Sequence, residues 1–239
     1  PQNNIVFIKC MKCGTETLAS ILRRYGYERN LSFVLPINKR IYIGWPYQIS
    51  KFDYRPVIKD FNMLVEHAIY NKTTLQKIMP FNTKYISIIR EPFSRFVSSF
   101  YYFNIQKVTN ITSTNPISEY LNNIDKYEIK YKSNNAKFLD LSLDHKAVDK
   151  FIDQIDSDFE LVLIMDYYDE SLVLLKRLLC WKLQDIVYLR TNNGKYGGSK
   201  RIEFHRTPTN LHLHQNHDFI DYKIFHHFNQ TLWKKINQQ

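Results

Sequence analysis

Residues 5–17 read IVFIKCMKCGTET, and most of the architecture can be worked out from this segment. The short β-branched run over residues 5–10 predicts a buried strand. Apolar side chains then recur at helical spacing over residues 14–25, so a helix is expected to follow directly. A turn between a buried strand and a helix is a favoured phosphate site, because backbone N–H groups and the helix dipole both point towards the anion.

The turn also carries side chains that suit an anion. Lys12 supplies a compact positive charge, and the hydroxyls of Thr15 and Thr17 can donate further hydrogen bonds. The glycines of a Walker A sequence are missing, so the turn does not match that motif. From the local pattern alone, an ordinary strand–helix turn is as good an interpretation as a phosphate site.

Strands and helices alternate along the rest of the chain. Further strands are predicted at 61–66, 84–89 and 160–165, and further helices from Thr73 or Thr74 to Met79, from Pro92 onward and over 169–181. This alternation predicts the α/β class, with a central parallel β-sheet covered by helices on both faces. The length fits a single domain over residues 1–239.

Two segments fall outside this alternation. Residues 105–135 are rich in Asn, Thr, Ser and Lys, and they are predicted to form a surface excursion that faces substrate. Residues 191–201 hold three of the six glycines and predict a flexible basic loop. Its cations Lys195, Lys200 and Arg201 would be able to close over a bound cofactor.

Composition narrows the class of partner. The 239 residues are 44% hydrophobic with only 6 glycines, which excludes disordered and collagen-like chains. No apolar run approaches the roughly 20 residues that span a bilayer. The chain opens directly on its first strand, which leads us to expect a truncated chain that lacks an N-terminal anchor. The net charge of +10 favours polyanionic partners, but the basic residues are spread along the chain, which argues against nucleic acid.

Cysteines and sequons bear on the compartment and on metals. Three cysteines are too few for a disulfide framework. Cys10-x-x-Cys13 matches half of a metal site or a redox pair, but no second ligand pair follows at zinc spacing, so no metal is predicted. Two small residues in a tight turn is the favoured interpretation. Asn-x-Ser/Thr sequons suit a secretory protein, although an Asn-rich chain also produces them by chance; they begin at Asn30, Asn71, Asn110 and Asn229.

Two further candidates for chemistry follow predicted strands. Arg90 ends one strand and Ser98 lies two turns into the next helix, so they could hold a second phosphate together. A salt-bridged arginine and a serine on a polar helix face are the simpler interpretation. His67 ends another strand, where catalytic groups of parallel sheets collect, although a single histidine is more often structural.

Taken together, these segments resemble the galactose 3-O-sulfotransferase family of Golgi enzymes, which use 3′-phosphoadenosine 5′-phosphosulfate (PAPS). The family's opening motif, a strand followed by Lys-Thr-His-Lys-Thr-Gly/Ala-Ser-Ser-Thr and a helix, is similar to residues 7–17. Other matching segments are Leu22–Gly26, Asp53–Pro56, Phe61–His67, Arg90–Pro92, Ser98–Phe103, Leu161–Ile164, Tyr167–Leu175 and His227–Trp233. The resemblance covers most of the chain in order.

The resemblance implies the P-loop-type sulfotransferase fold and transfer of a sulfuryl group from PAPS to galactose in a glycan or glycolipid. Lys12 would stabilise the leaving oxygen, and the backbone of Cys13, Gly14, Thr15, Glu16 and Thr17 would hold the 5′-phosphate. Arg90 and Ser98 would clamp the 3′-phosphate, and His67 would be the general base. The family also implies no metal, the product PAP, and a Golgi-lumenal domain of a type II membrane protein. Whether the chain forms a homodimer stays open.

The chain departs from the family pattern at four positions of the opening motif. Cys10, Met11 and Cys13 replace Thr, His and Thr, and Glu16 replaces Ser. A glutamate beside a phosphate is repulsive unless its side chain points away. Three alternatives therefore stay open: a P-loop kinase, a nucleic-acid-binding module, and a sulfotransferase-fold protein that binds the cofactor without catalysis.

Overall fold

The computed structural model describes residues 1–37, 41–127, 147–189 and 198–238. Four strands form one sheet: β1 (Ile5–Lys9), β2 (Met63–Leu64), β3 (Lys84–Ile89) and β4 (Phe159–Ile164). The strand order is β2-β1-β3-β4, and all pairs are parallel. The predicted α/β class and parallel sheet are confirmed.

Helices flank this sheet. In chain order they are α1 (Thr15–Glu28), α2 (Lys72–Leu75), α3 (Pro92–Tyr102), α4 (Ile105–Val108), α5 (Pro116–Asn122), α6 (Ile124–Tyr127), α7 (Val148–Asp158), α8 (Tyr168–Leu178), α9 (Leu183–Ile186), α10 (Ser199–His205), α11 (Pro208–His217) and α12 (Phe219–Asn237). Helices α7, α8 and α12 pack against β4. In the described ranges no helix has both the length and the apolar character needed to cross a bilayer.

Burial explains why three of the strands were readable as continuous apolar runs. Every residue of β1 is buried, because the strand lies between β2 and β3 with helices on its faces. Strands β3 and β4 are buried almost throughout. A parallel strand that is covered on both faces needs apolar side chains at every position, not at alternate ones.

The second predicted strand is much shorter than expected. Only Met63 and Leu64 pair with β1, whereas residues 61–66 were predicted to do so. Beyond them the chain pairs with a different partner: His67 forms an isolated parallel bridge with Tyr42. The apolar run is continuous across this change of partner, which is why the sequence pattern did not reveal it.

The predicted cap of the following short helix was wrong. Asn71, and not Thr73 or Thr74, is the N-cap: its Oδ1 accepts a hydrogen bond from the backbone N–H of Thr74 at 2.9 Å. The helix ends at Leu75, short of the predicted Met79. Asparagine is among the strongest N-cap residues, so both threonines fall in the first turn.

The predicted surface excursion was also wrong for its first part. Helices α4, α5 and α6 occupy residues 105–127, and their apolar side chains form a second core cluster with α3. Ile111, Ile117 and Leu121 are buried in this cluster. Few apolar residues among many polar ones were enough to anchor the segment. Residues 128–135 lie outside the described ranges.

The predicted basic loop is divided between two situations. Lys195 and the rest of 191–197 lie outside the described residues. Lys200 and Arg201 belong to the first turn of α10, so this end of the segment is helical and not a loop. The guanidinium carbon of Arg201 lies 4.3 Å from the centre of the Tyr101 ring. This contact fixes Arg201 against α3.

Candidate active site

The candidate site lies where the sheet changes direction. The chain passes from β1 to β2 on one side of the sheet, and from β3 to β4 on the other. The ends of β1 and β3 are neighbours, with Lys9 opposite Ile88. In open parallel sheets this switch point, outside the carboxyl ends of the strands, is where ligands bind. The loops that follow β1 and β3 both start here.

The loop after β1 is shaped by two residues with positive φ. Lys12 has a φ of 63° and Gly14 a φ of 69°. A Cβ on Gly14 would lie 3.4 Å from the Met165 side chain, so both the conformation and the space favour glycine. Gly14 is also the N-cap of α1, and it supplies no side-chain cap. The first-turn N–H groups of α1 thus have no side-chain acceptor at Gly14, which suits an anionic ligand.

Lys12 and Arg90 bring two cations to this loop. Arg90 Nη1 donates a hydrogen bond to the backbone carbonyl oxygen of Lys12 at 3.3 Å, which ties the end of β3 to the loop. Burial, followed by the charge of Arg90, lowers the pKa of Lys12 to about 8. The Lys12 ammonium is therefore only modestly stabilised until an anion lies beside it. Its Nζ sits 3.6 Å from the centre of the Tyr102 ring.

The residue after Arg90 is held firmly in place. The Glu91 carboxylate caps α3 by accepting hydrogen bonds from the N–H groups of Phe93 and Ser94. Arg206 Nη2 donates to Glu91 Oε2 at 2.6 Å, and the Glu91 N–H donates to Asp166 Oδ2 at 2.9 Å. These contacts fix the chain that carries Arg90.

The other phosphate candidates lie on α1 and α3. Thr15 is buried and Thr17 half-buried in the first turn of α1, beside Cys13. Ser98 is buried on α3, the helix that Arg90 leads into, with 5% of its surface exposed. Its part in holding a second phosphate stays a prediction.

His67 lies on the other side of β1, after β2. The backbone N–H of Ile43 donates to the His67 carbonyl oxygen at 2.8 Å, and the His67 N–H donates to the Ile41 carbonyl oxygen at 3.1 Å. Burial, followed by the charge of Lys9, lowers the pKa of His67 to about 4. The imidazole is therefore neutral at pH 7, as a general base must be. A base with so low a pKa is weak until negative charge approaches it.

A ladder of charges lies beneath His67. Lys9 is fully buried, and its Nζ is 3.0 Å from Glu16 Oε2. Arg23 Nη1 lies 2.6 Å from Glu16 Oε1, and Arg23 Nη2 lies 2.7 Å from Glu66 Oε1. The Glu16 carboxylate is thus compensated by two cations on its own side of α1. The electrostatic objection raised by this glutamate in the opening motif is removed, because the charge is balanced.

We expect Glu16→Gln to lower the free energy of unfolding by about 1–3 kcal/mol, because Lys9 keeps its buried charge and loses its carboxylate partner. Urea denaturation at pH 7 measures the change. Glu28→Gln on the same helix is the matched control, since Glu28 is exposed and pairs only with Arg29 at 3.5 Å. Equal effects of the two substitutions would show that the Lys9 contact is not stabilising.

The two loop cysteines are free and buried. Both thiols point towards the carbonyl oxygen of Met11, at 3.8 Å for Cys10 and 3.3 Å for Cys13. Burial, then the neighbouring Cys13, raises the pKa of Cys10 well above its ordinary value. A raised thiol pKa fits small packing residues better than reactive ones. Within the described ranges, no three His, Cys, Asp or Glu side chains are grouped so as to hold a metal ion.

Sequence reasoning missed several residues at this site. Tyr42 was missed because it reaches His67 only through the isolated bridge, 25 positions away in the chain. Tyr102 follows the apolar positions of α3 and looked like a surface residue; its contact with Lys12 carries no periodic signal. Arg23 and Glu66 both lay in motifs of the family pattern, which was a signal for their importance, but not for their pairing.

The parallel sheet, with a cationic strand–helix turn at its switch point, places the chain among α/β proteins of the P-loop type. The galactose-3-O-sulfotransferase family model matches residues 1–239, and the chain belongs to this family. It is 32% identical to galactose-3-O-sulfotransferase 2 of Mus musculus, over 100% of this chain and 64% of that protein.

Two other relatives are similarly related. The chain is 31% identical to the galactosylceramide sulfotransferase of Homo sapiens, over 99% of this chain and 58% of that protein. It is 29% identical to galactose-3-O-sulfotransferase 3 of Bos taurus, over 97% of this chain and 57% of that protein. The chain therefore spans about six tenths of the length of these relatives.

Proposed function

We propose that this chain transfers a sulfuryl group from PAPS to a carbohydrate hydroxyl, the 3-hydroxyl of galactose in a glycan or glycolipid. Family membership supports the reaction class. The observation that carries the proposal is the cationic turn, in which Arg90 is bonded to the carbonyl of Lys12 beside a helix N-terminus without a side-chain cap. These groups fit a donor that has phosphates at both ends of its ribose.

PAPS supplies an activated sulfuryl group, whose bond to the 5′-phosphate oxygen breaks as the acceptor oxygen attacks. Lys12 stabilises the negative charge that grows on the leaving oxygen. The backbone N–H groups of residues 13–17 hold the 5′-phosphate, and Arg90 with Ser98 holds the 3′-phosphate. His67 removes the proton from the acceptor hydroxyl, and the approach of a polyanionic donor raises its basicity.

The cellular setting is part of the same proposal. A Golgi-lumenal catalytic domain of a type II membrane protein fits the relatives' substrates, since galactosylceramide and glycan galactose are both assembled within the secretory pathway. Neither a metal nor a nucleic-acid partner is required. The compensated charge of Glu16 favours an active enzyme over a cofactor-binding protein that has lost catalysis.

The donor assignment predicts that PAP raises thermal stability far more than AMP does. At 100 times its dissociation constant, a ligand that binds only the folded state stabilises it by about 2.7 kcal/mol. AMP lacks the 3′-phosphate and forfeits the contacts of Arg90 and Ser98. Thermal unfolding with each nucleotide measures the difference. Equal shifts for PAP and AMP would remove the 3′-phosphate clamp, and a larger shift with ATP would favour a kinase.

A second prediction concerns the guanidinium of Arg90. Arg90→Lys keeps the charge, but an ammonium is a point donor and cannot bind two phosphate oxygens in a fork. We expect PAP binding to weaken by about 1.5–3 kcal/mol, the value of a hydrogen bond to a charged group. Calorimetric titration measures this change. Arg177→Lys, near the end of α8, is the control; an unaltered affinity in Arg90→Lys would contradict the contact.

A further inference from the structure

Three aromatic side chains span the distance between the proposed leaving-group cation and the proposed base. The Tyr102 ring lies under the Lys12 ammonium at 3.6 Å. The Tyr42 ring lies 5.3 Å from the His67 ring and 5.2 Å from the Trp45 ring, measured between centroids. Tyr102 is also close enough to Tyr42 to help raise the pKa of Tyr42, after burial. A continuous aromatic surface therefore runs from Lys12 past His67 to Trp45.

This aromatic surface is held by the backbone and not only by side-chain packing. The segment around Tyr42 pairs with His67 as an extra strand, through the backbone bonds of Ile41 and Ile43. Gly44 then turns the chain with a φ of 73°, and a Cβ there would lie 2.9 Å from the backbone of Ile49. This tight turn brings Trp45 back against Tyr42. Position 44 therefore favours glycine, and the aromatic pair depends on it.

The surface remains accessible to a ligand. Tyr102 is 47% exposed, and both Tyr42 and Trp45 are partly exposed. In-line transfer requires the acceptor oxygen to lie between the donor's sulfur and the base. The acceptor's sugar ring must then lie against whatever lines the space from Lys12 to His67, and that lining is aromatic.

The chemistry of β-galactose suits such a surface. Its axial 4-hydroxyl leaves the C–H bonds of C3, C4 and C5 together on one apolar face of the pyranose ring. C–H groups carry slight positive charge and pack against the negative face of an aromatic ring. The equatorial 3-hydroxyl lies at the edge of the stacked sugar, where it is free to meet a neighbouring base.

We propose that Tyr42, Trp45 and Tyr102 form the acceptor subsite, on which the galactopyranose ring stacks with its 3-hydroxyl directed to His67. This inference rests on the proposed function, which supplies the donor and the base. Trp45 forms the outer end of the subsite, away from Lys12, so it contributes to acceptor binding and not to donor binding.

The test measures binding of methyl β-D-galactopyranoside to the PAP-saturated protein, by saturation-transfer NMR and without turnover. Trp45→Leu keeps an apolar side chain but removes the aromatic face. We expect the galactoside to bind about tenfold more weakly to Trp45→Leu, from the worth of one aromatic contact. PAP affinity should be unchanged. Trp45→Phe, which retains an aromatic ring, should restore most of the galactoside affinity.

Trp233→Leu is the matched control, because Trp233 is also partly buried and meets a tyrosine, Tyr167, with centroids 5.0 Å apart. Normal galactoside affinity in Trp45→Leu, equal losses in Trp45→Leu and Trp233→Leu, or no galactoside binding by the PAP-bound wild type would each overturn the subsite. If Trp45→Leu does not fold, Trp45→Phe decides: loss of galactoside affinity despite its ring overturns the stacking, and retention supports it. Failure to bind PAP instead contradicts the proposed donor site.

Discussion

Replacing His67 by alanine is expected to reduce turnover by about 100- to 10,000-fold, the usual contribution of a positioned general base. Affinity for PAP should be nearly unchanged, because His67 lies beyond β2 and the phosphate groups bind around Lys12 and Arg90. The pKa of about 4 keeps His67 unprotonated in the free enzyme at all pH values above about 5. Loss of activity on acidification should therefore begin only well below the ordinary histidine pKa.

The alternative for His67 is a purely structural role, pinning the Tyr42 segment to the sheet. In that case His67→Ala would lose melting temperature, PAP affinity and activity together. Single-turnover rates, PAP affinity and thermal unfolding on one preparation separate the two roles. His226→Ala on the exposed face of α12 serves as the control. A well-folded His67→Ala protein with near-normal turnover would rule out the base assignment and direct attention to Glu66.

Lys12→Met should lower the turnover number by about 100- to 1,000-fold, because it removes the cation that meets the developing charge on the leaving oxygen. It should also change the pH dependence of PAP binding. The Lys12 pKa of about 8 means that the ammonium is charged below that pH and is lost above it. Wild-type PAP affinity is therefore expected to fall as the pH rises past 8, whereas Lys12→Met should lack this component.

Lys107→Met is the matched control for Lys12, since Lys107 lies exposed on α4 and close to the same helix, α3. Rapid-quench kinetics with PAPS and a galactoside measures the chemical step, and titration at pH 7 and 9 measures PAP binding. Lys12→Met turnover within a factor of a few of the Lys107→Met value would contradict the role of Lys12 at the leaving oxygen.

The sheet was predictable from the sequence because its central strands are buried on both faces. The run at 84–89 appears in the structure with the predicted bounds, and the run at 160–165 is shifted by one residue. Strand β2 could not be predicted to its true length. Its apolar run continues past Leu64 into a segment that pairs with Tyr42, and periodicity does not report which neighbour a strand has.

The candidate site was predictable only in part. Lys12 and Arg90 stood out because each follows a buried strand, and the structure bonds the two segments. The compensation of Glu16 by Lys9 and Arg23 was not predictable, because it depends on the direction of a first-turn side chain. The aromatic surface of Tyr42, Trp45 and Tyr102 joins three loops or helix ends, and no spacing in the sequence brings them together.

Direct sulfuryl transfer tests the central claim most plainly. The protein is incubated with PAPS carrying labelled sulfur and methyl β-D-galactopyranoside or lactose, and the product is analysed by mass spectrometry and NMR. We expect label on the sugar, with the NMR shift change at H3 of galactose, and a release of PAP equal to the sulfate transferred. PAP-bound protein that leaves every galactoside unlabelled, or labels a position other than the 3-hydroxyl, would contradict the proposed function.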